Sequence, residues 1–86
     1  MIHKFYCTRC GNEGIPIFRK GNQRREAGHL KKLYCLHCKE EVNHAEICDN
    51  YTYNSFMLEF NLGNFDENGN RIIPLKRFLG DVKWKN

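Results

Sequence analysis

Two copies of one short cysteine motif constrain this chain more than any other feature of its sequence. The stretch YCTRC at residues 6–10 is matched by YCLHC at residues 34–38, so each copy is a tyrosine followed by Cys-x2-Cys. A Cys-x2-Cys pair on a tight turn directs both thiolates at one metal ion, and two pairs complete a tetrahedral site. The predicted ligands are Cys7, Cys10, Cys35 and Cys38.

The context of the pairs favours zinc over disulfides or redox chemistry. A redox pair begins a helix after a buried strand, and neither pair is predicted to do so. The N-terminus has no apolar signal region, so we expect a cytoplasmic location, where disulfides are rare. The 24 residues between the pairs exceed the usual spacing of about 15–20, which predicts a long intervening segment. Four thiolates close the site, so we expect one structural Zn²⁺, with iron as the alternative.

The length of the chain explains why a metal matters. A chain of 86 residues buries a modest core and usually needs a metal, disulfides or a partner to stabilise it. Structural zinc contributes about 10–16 kcal/mol of apparent binding free energy in small modules. The entire net stability of a typical domain is about 5–15 kcal/mol. The apolar runs are much shorter than the about 20 residues of a membrane span, so no membrane partner is expected.

The first half is predicted to form two β-hairpins, each with a cysteine pair at its tip. Residues 2–6 and 15–20 are the strands of the first, with Gly11 supplying a positive φ in the turn. Pro16 lacks a backbone donor, which predicts an edge or broken strand. Residues 29–35 and 42–48 are the strands of the second hairpin. In the strand 42–48, alternate residues (Val42, His44, Glu46 and Cys48) lie on one face, as expected for a strand.

The second half changes to helical periodicity. Apolar residues recur there at i, i+3, i+4 and i+7, a spacing that predicts one face of a helix. They are Tyr53, Phe56, Met57 and Phe60, and the helix is expected to end before Gly63. A turn is predicted at 64–71, and Pro74 then begins a shorter helix that Gly80 ends. Its apolar face contains Leu75, Phe78 and Leu79. The expected fold is a small α+β protein: a zinc ribbon at 1–48 with a helical extension at 49–86 packed on it as one compact unit.

Positive charge is concentrated in the cysteine-containing half. Residues 1–48 hold nine Lys or Arg and five acidic residues, a net charge of +4, whereas residues 49–86 hold five of each. Within the first half, residues 19–32 (the basic segment) hold six Lys or Arg and one acid, a net charge of +5. This asymmetry indicates a negatively charged partner. The candidate nucleic-acid contacts are Arg19, Lys20, Arg24, Arg25, His29, Lys31 and Lys32.

About residues 5–48 contain, in order, the motifs YCxxCG, IPIFRK, GHLKKLYCxxC and NH. This combination resembles the small zinc-ribbon proteins of phages and prophages of Gram-positive bacteria. The resemblance implies a rubredoxin-like pair of zinc knuckles with the same four cysteine ligands. It also implies a location in the host bacterial cytoplasm. By analogy with transcription-associated ribbons, it implies binding of nucleic acid or RNA polymerase.

The leading hypothesis is a non-enzymatic zinc-ribbon module that binds nucleic acid and regulates transcription. Tyr34, Phe18 and Tyr6 are candidate stacking platforms for bases. The alternative is a protein-binding modulator of a host factor, such as RNA polymerase or a defence protein, acting through exposed Phe65, Phe78 or Trp84. A nuclease of the His-Asn-His type is disfavoured, because no such order follows Asn43-His44. No small-molecule substrate is expected.

The remaining cysteine and the histidines are expected to lie outside the ligand set. Cys48 is predicted to be a small buried residue or a free thiol. His44 is an alternative ligand in principle, although four cysteines suffice. His3 and His37 flank the pairs and are expected to support the site from outside or to face solvent.

Overall fold

The computed structural model describes residues 2–18, 28–48 and 50–81. In this part of the chain, one curled antiparallel sheet with the strand order β2-β1-β4-β3 is followed by two short helices. The elements are β1 (Ile2–Cys7), β2 (Ile17–Phe18), β3 (Leu30–Cys35), β4 (Glu40–Ile47), α1 (Tyr53–Asn61) and α2 (Leu75–Asp81). The small α+β class predicted from the sequence is confirmed.

Both predicted hairpins are present, and a pairing between them makes a single sheet. β1 pairs with β2 at Ile2↔Phe18, and β3 pairs with β4 as far as Cys35↔Glu40. β2 lies at the sheet edge and begins at Ile17, just after Pro16, so the predicted strand over 15–20 began two residues too early. Residues 19 and 20 lie outside the described residues. The sequence did not predict the β1–β4 pairing, which brings the two cysteine-bearing tips side by side.

Strand β4 is covered on both faces. Val42, His44 and Glu46 are buried on the face that the alternation predicts, yet Ala45 on the opposite face is also fully buried. α1 covers that second face, where Ala45, Tyr51 and Phe56 form a buried cluster. The helical half therefore packs against the sheet.

Helix α1 forms as the apolar periodicity predicts. It begins after Thr52, whose hydroxyl accepts a hydrogen bond from Ser55 N–H, while the Ser55 hydroxyl accepts one from Thr52 N–H. It ends before Gly63, which has the expected positive φ of 74°. Phe56 is fully buried and stacks on Tyr6 of β1, with ring centroids 5.4 Å apart.

Helix α2 begins at Leu75, one residue after the predicted start at Pro74, and buries Phe78. It continues through Gly80 to Asp81, so the prediction that Gly80 ends the helix was wrong. A single glycine costs a helix about 1 kcal/mol, which the packing of a buried aromatic residue in the preceding turn offsets. Neither helix of the described residues is long and apolar enough to cross a membrane.

A buried ionic network links α1 to the turn before α2. The Glu59 carboxylate, fully buried, accepts hydrogen bonds from the Tyr51 hydroxyl at 2.5 Å, from Asn64 Nδ2 at 2.6 Å and from Arg71 Nε at 2.8 Å. Arg71 Nη1 also donates to the carbonyl of Gly28 at 2.7 Å. Arg71 thus ties the turn before α2 to the chain that enters β3.

Candidate metal centre

The four predicted cysteine ligands form one cluster. Their Sγ atoms all lie within 4.8 Å of one another. The Cys7 and Cys38 sulfurs are 3.8 Å apart, and the Cys10 and Cys35 sulfurs are 3.6 Å apart. An ion 2.3 Å from four tetrahedral sulfurs places them about 3.8 Å apart. The cluster therefore has the spacing of a tetrahedral thiolate site and can hold one metal ion.

The two cysteine turns have closely similar hydrogen bonding. In the first, Gly11 N–H donates to the Cys7 carbonyl at 2.9 Å, and Cys10 N–H donates to Cys7 Sγ at 3.5 Å. In the second, Lys39 N–H donates to the Cys35 carbonyl at 2.7 Å, and the N–H of the second cysteine donates to Cys35 Sγ at 3.4 Å. These turns are compatible with a pair of zinc knuckles.

The residue after each cysteine pair adopts a left-handed backbone. Gly11 has φ of 80°, as predicted, and the equivalent Lys39 has φ of 59°. A non-glycine residue in this region is uncommon and strained. The sequence gives no sign of this, because a lysine carries no preference for positive φ. The turn geometry around the sulfurs is therefore retained at Lys39 despite a backbone cost.

Each pair has an inner and an outer sulfur. Cys7 and Cys35 are buried and pack with Val42, whereas Cys10 and Cys38 are half-buried. Burial raises the pKa of Cys7, and burial with the neighbouring thiols raises the pKa of Cys38 to about 12. Burial also opposes ionisation of Cys10, but hydrogen bonds, chiefly from Asn12, lower its pKa to about 7. Crowded thiols resist joint ionisation, and a bound divalent cation reverses that preference.

The helical half buttresses the first cysteine turn. A Cβ at Gly11 would lie 3.1 Å from the ring of Phe60 on α1. The Thr8 hydroxyl donates to the Asn43 carbonyl at 2.9 Å, and a Cβ at Gly69 would lie 2.7 Å from Thr8 Oγ1. The turn around residue 69 and helix α1 therefore fix the position of the first cysteine turn from outside the sulfur cluster.

The cysteine cluster contains no histidine among the described residues. His44 is fully buried, donates from Nδ1 to the Val42 carbonyl at 2.7 Å, and has no partner at Nε2 among the described residues. Burial lowers the pKa of His44, which favours the neutral ring. His37 is exposed. His3 contacts Glu46 instead of facing solvent.

The basic segment lies partly outside the described residues. Four of its seven candidate contacts fall there: Arg19, Lys20, Arg24 and Arg25. Of the others, Lys32 is exposed, whereas His29 and Lys31 are half-buried. Lys31 and Lys32 are consecutive in β3 and so project to opposite faces of the sheet.

The aromatic candidates separate into exposed and packed residues. Phe18 and Tyr34 are exposed, as base stacking requires. Tyr6 instead packs between Tyr53 and Phe56, with centroids 5.0 and 5.4 Å away. Of the aromatics assigned to a protein-binding surface, Phe78 is buried, Phe65 packs 5.9 Å from Phe56, and Trp84 lies outside the described residues.

The structure also brings together a second group of potential metal ligands, which no sequence motif predicts. His3, Glu46 and Cys48 have ligand atoms within 4.8 Å of one another. The alternation 44-46-48 placed Glu46 and Cys48 on one face, but only the β1–β4 register brings His3 to them.

Comparison of the chain with protein-family models, with curated proteins and with solved structures finds no match.

Proposed function

We propose that the chain is a non-enzymatic zinc-ribbon module that binds nucleic acid through its basic segment. The zinc part is supported by the sulfur cluster, whose 3.6 and 3.8 Å separations suit a tetrahedral ion. Four thiolates saturate zinc and leave no coordination position for a substrate or an activated water. The ion in this proposal is structural: it holds the two hairpin tips together.

The nucleic-acid part of the proposal is supported by charge. The net charge of +5 over residues 19–32 accounts for more than the whole excess of +4 on the chain. This segment joins the two hairpins along the chain. The end of the segment overlaps the start of β3, which forms a sheet edge and exposes Lys32 and Tyr34. Cations near an exposed aromatic side chain suit a phosphate backbone with accessible bases.

The test is the salt dependence of binding to labelled single-stranded and duplex DNA and RNA. With about six phosphate contacts, the affinity should fall about a thousandfold between 50 and 200 mM salt. The double variant Arg24→Glu/Arg25→Glu should lower the log–log salt slope by about two. The matched control is Lys76→Glu/Lys83→Glu, which makes the same charge change in the half with no net charge. Absence of binding to every probe at low salt would refute the nucleic-acid part.

A second candidate function, binding to a host protein, is favoured by one apolar pair at the sheet edge. Ile2 and Phe18 are register partners in β1 and β2, and they are 67% and 71% exposed. Exposed apolar neighbours on an edge strand are a common feature of protein contacts. This function would be favoured by a host protein that remains bound after nuclease treatment. Its binding should be lost in the Phe18→Ser variant and retained in the Arg24→Glu/Arg25→Glu variant.

A further inference from the structure

The pairing of β1 with β4 aligns two sets of ligand-type side chains on one face of the sheet. The register places Cys7 opposite His44 and Phe5 opposite Glu46. Alternation along each strand then puts His3 and Cys48 on the same face, one step further from the cysteine cluster. A second group of potential ligands therefore follows from backbone pairing and does not depend on chance surface contacts.

The three side chains converge. His3 Nδ1 contacts the Glu46 carboxylate, and the Cys48 sulfur completes a group whose ligand atoms lie within 4.8 Å of one another. The Glu46 side chain is fully buried, and the His3 side chain is 14% exposed. Cys48 is half-buried. The site is thus enclosed by protein on the Glu46 side and accessible at its rim.

A buried carboxylate requires a nearby positive charge, because desolvation of an isolated charge is costly. A protonated His3 supplies one such charge. A divalent cation supplies a larger one: with neutral His3, one carboxylate and one thiolate, the net charge of the group is zero. Imidazole nitrogen, carboxylate oxygen and thiolate sulfur are the three ligand types that proteins use for zinc.

We infer that His3, Glu46 and Cys48 form a second binding site for a zinc-type divalent cation, separate from the four-cysteine cluster. Three protein ligands leave one tetrahedral position for water or an external ligand. The site should bind more weakly than the cluster, since it offers one thiolate in place of four. The inference concerns only this group and holds whether or not the basic segment binds nucleic acid.

The test is the metal content of the full-length chain after saturation with Zn²⁺ and removal of free ion. Elemental analysis against quantitative amino-acid analysis should give two Zn²⁺ per chain in the wild type and one in His3→Gln/Cys48→Ser. The control His37→Gln, which alters an exposed histidine, should retain two. Equal metal content in the wild type and the double variant would overturn the inference.

Cobalt provides a second measurement that needs no variant. Titration of the wild type with Co²⁺ should give a strong thiolate-to-metal absorption for the four-cysteine cluster and a weaker band for a second equivalent bound to one thiolate. Saturation at one Co²⁺ per chain overturns the inference even if the double variant does not fold. Loss of only the strong band in Cys10→Ser, with the weaker band retained, supports two independent sites.

Discussion

The cysteine cluster and the helix-covered face of the sheet are stabilised in different ways. Around the sulfurs, the fully buried hydrophobic residues are Cys7, Cys35 and Val42. Under the helices, Ala45, Tyr51 and Phe56 form a buried centre, and seven partly buried residues pack on it: Tyr6, Leu30, Ile47, Met57, Phe60, Phe65 and Leu75. The first region has a small apolar centre and a sulfur cluster that can hold one metal ion, whereas the second relies on aromatic packing and a buried ion pair.

Removal of the metal should produce the largest difference between the two regions. Structural zinc accounts for about 10–16 kcal/mol in small modules, so a strong chelator or Cys35→Ser should abolish ordered structure at both hairpin tips. Amide spectra should show collapse of the signals of residues 7–11 and 35–39. Spectra that are unchanged after verified removal of zinc and iron would contradict the role assigned to the sulfur cluster.

Disruption of the ionic network should affect the helical region next most strongly. Glu59→Gln leaves the Arg71 guanidinium without its buried carboxylate, which should lower the free energy of unfolding by about 3–5 kcal/mol. The matched control is Glu40→Gln, which breaks a pair with Arg9 whose side chains are 54% and 42% exposed. That change should cost less than about 1 kcal/mol. Equal losses in denaturant titrations would show that burial does not distinguish the two pairs.

Loss of the α1 cap should have the smallest effect. Thr52→Ala removes the hydroxyl that accepts from Ser55 N–H, at a cost of about 1 kcal/mol. Thr52→Ser keeps the oxygen and should remain near the wild-type stability. The comparison requires thermal unfolding of all three proteins with the metal bound. A Thr52→Ala protein as stable as the wild type would mean that packing of Phe56 alone determines where α1 begins.

Features encoded by neighbouring residues were predictable, and features formed by distant ones were not. Helix α1 and the two cysteine turns follow from spacing over a few residues, so periodicity and the Cys-x2-Cys pattern located them. The contact between Arg71 and Glu59 depends on tertiary packing, and the group around His3 depends on the β1–β4 register. No local pattern encodes either. The end of α2 was missed because packing of Phe78 outweighs the low helix propensity of Gly80.

The β1–β4 pairing also has a consequence for when a four-cysteine metal site could assemble during synthesis. Cys7 and Cys10 are synthesised before the strand that positions them, which ends at Ile47. All four thiolates could therefore hold a metal ion only after translation has passed β4. In that interval the first two thiols are exposed to oxidants and to competing metal chelators. Shortening this vulnerable period gives a reason for the second hairpin, with β4, to fold as soon as it emerges.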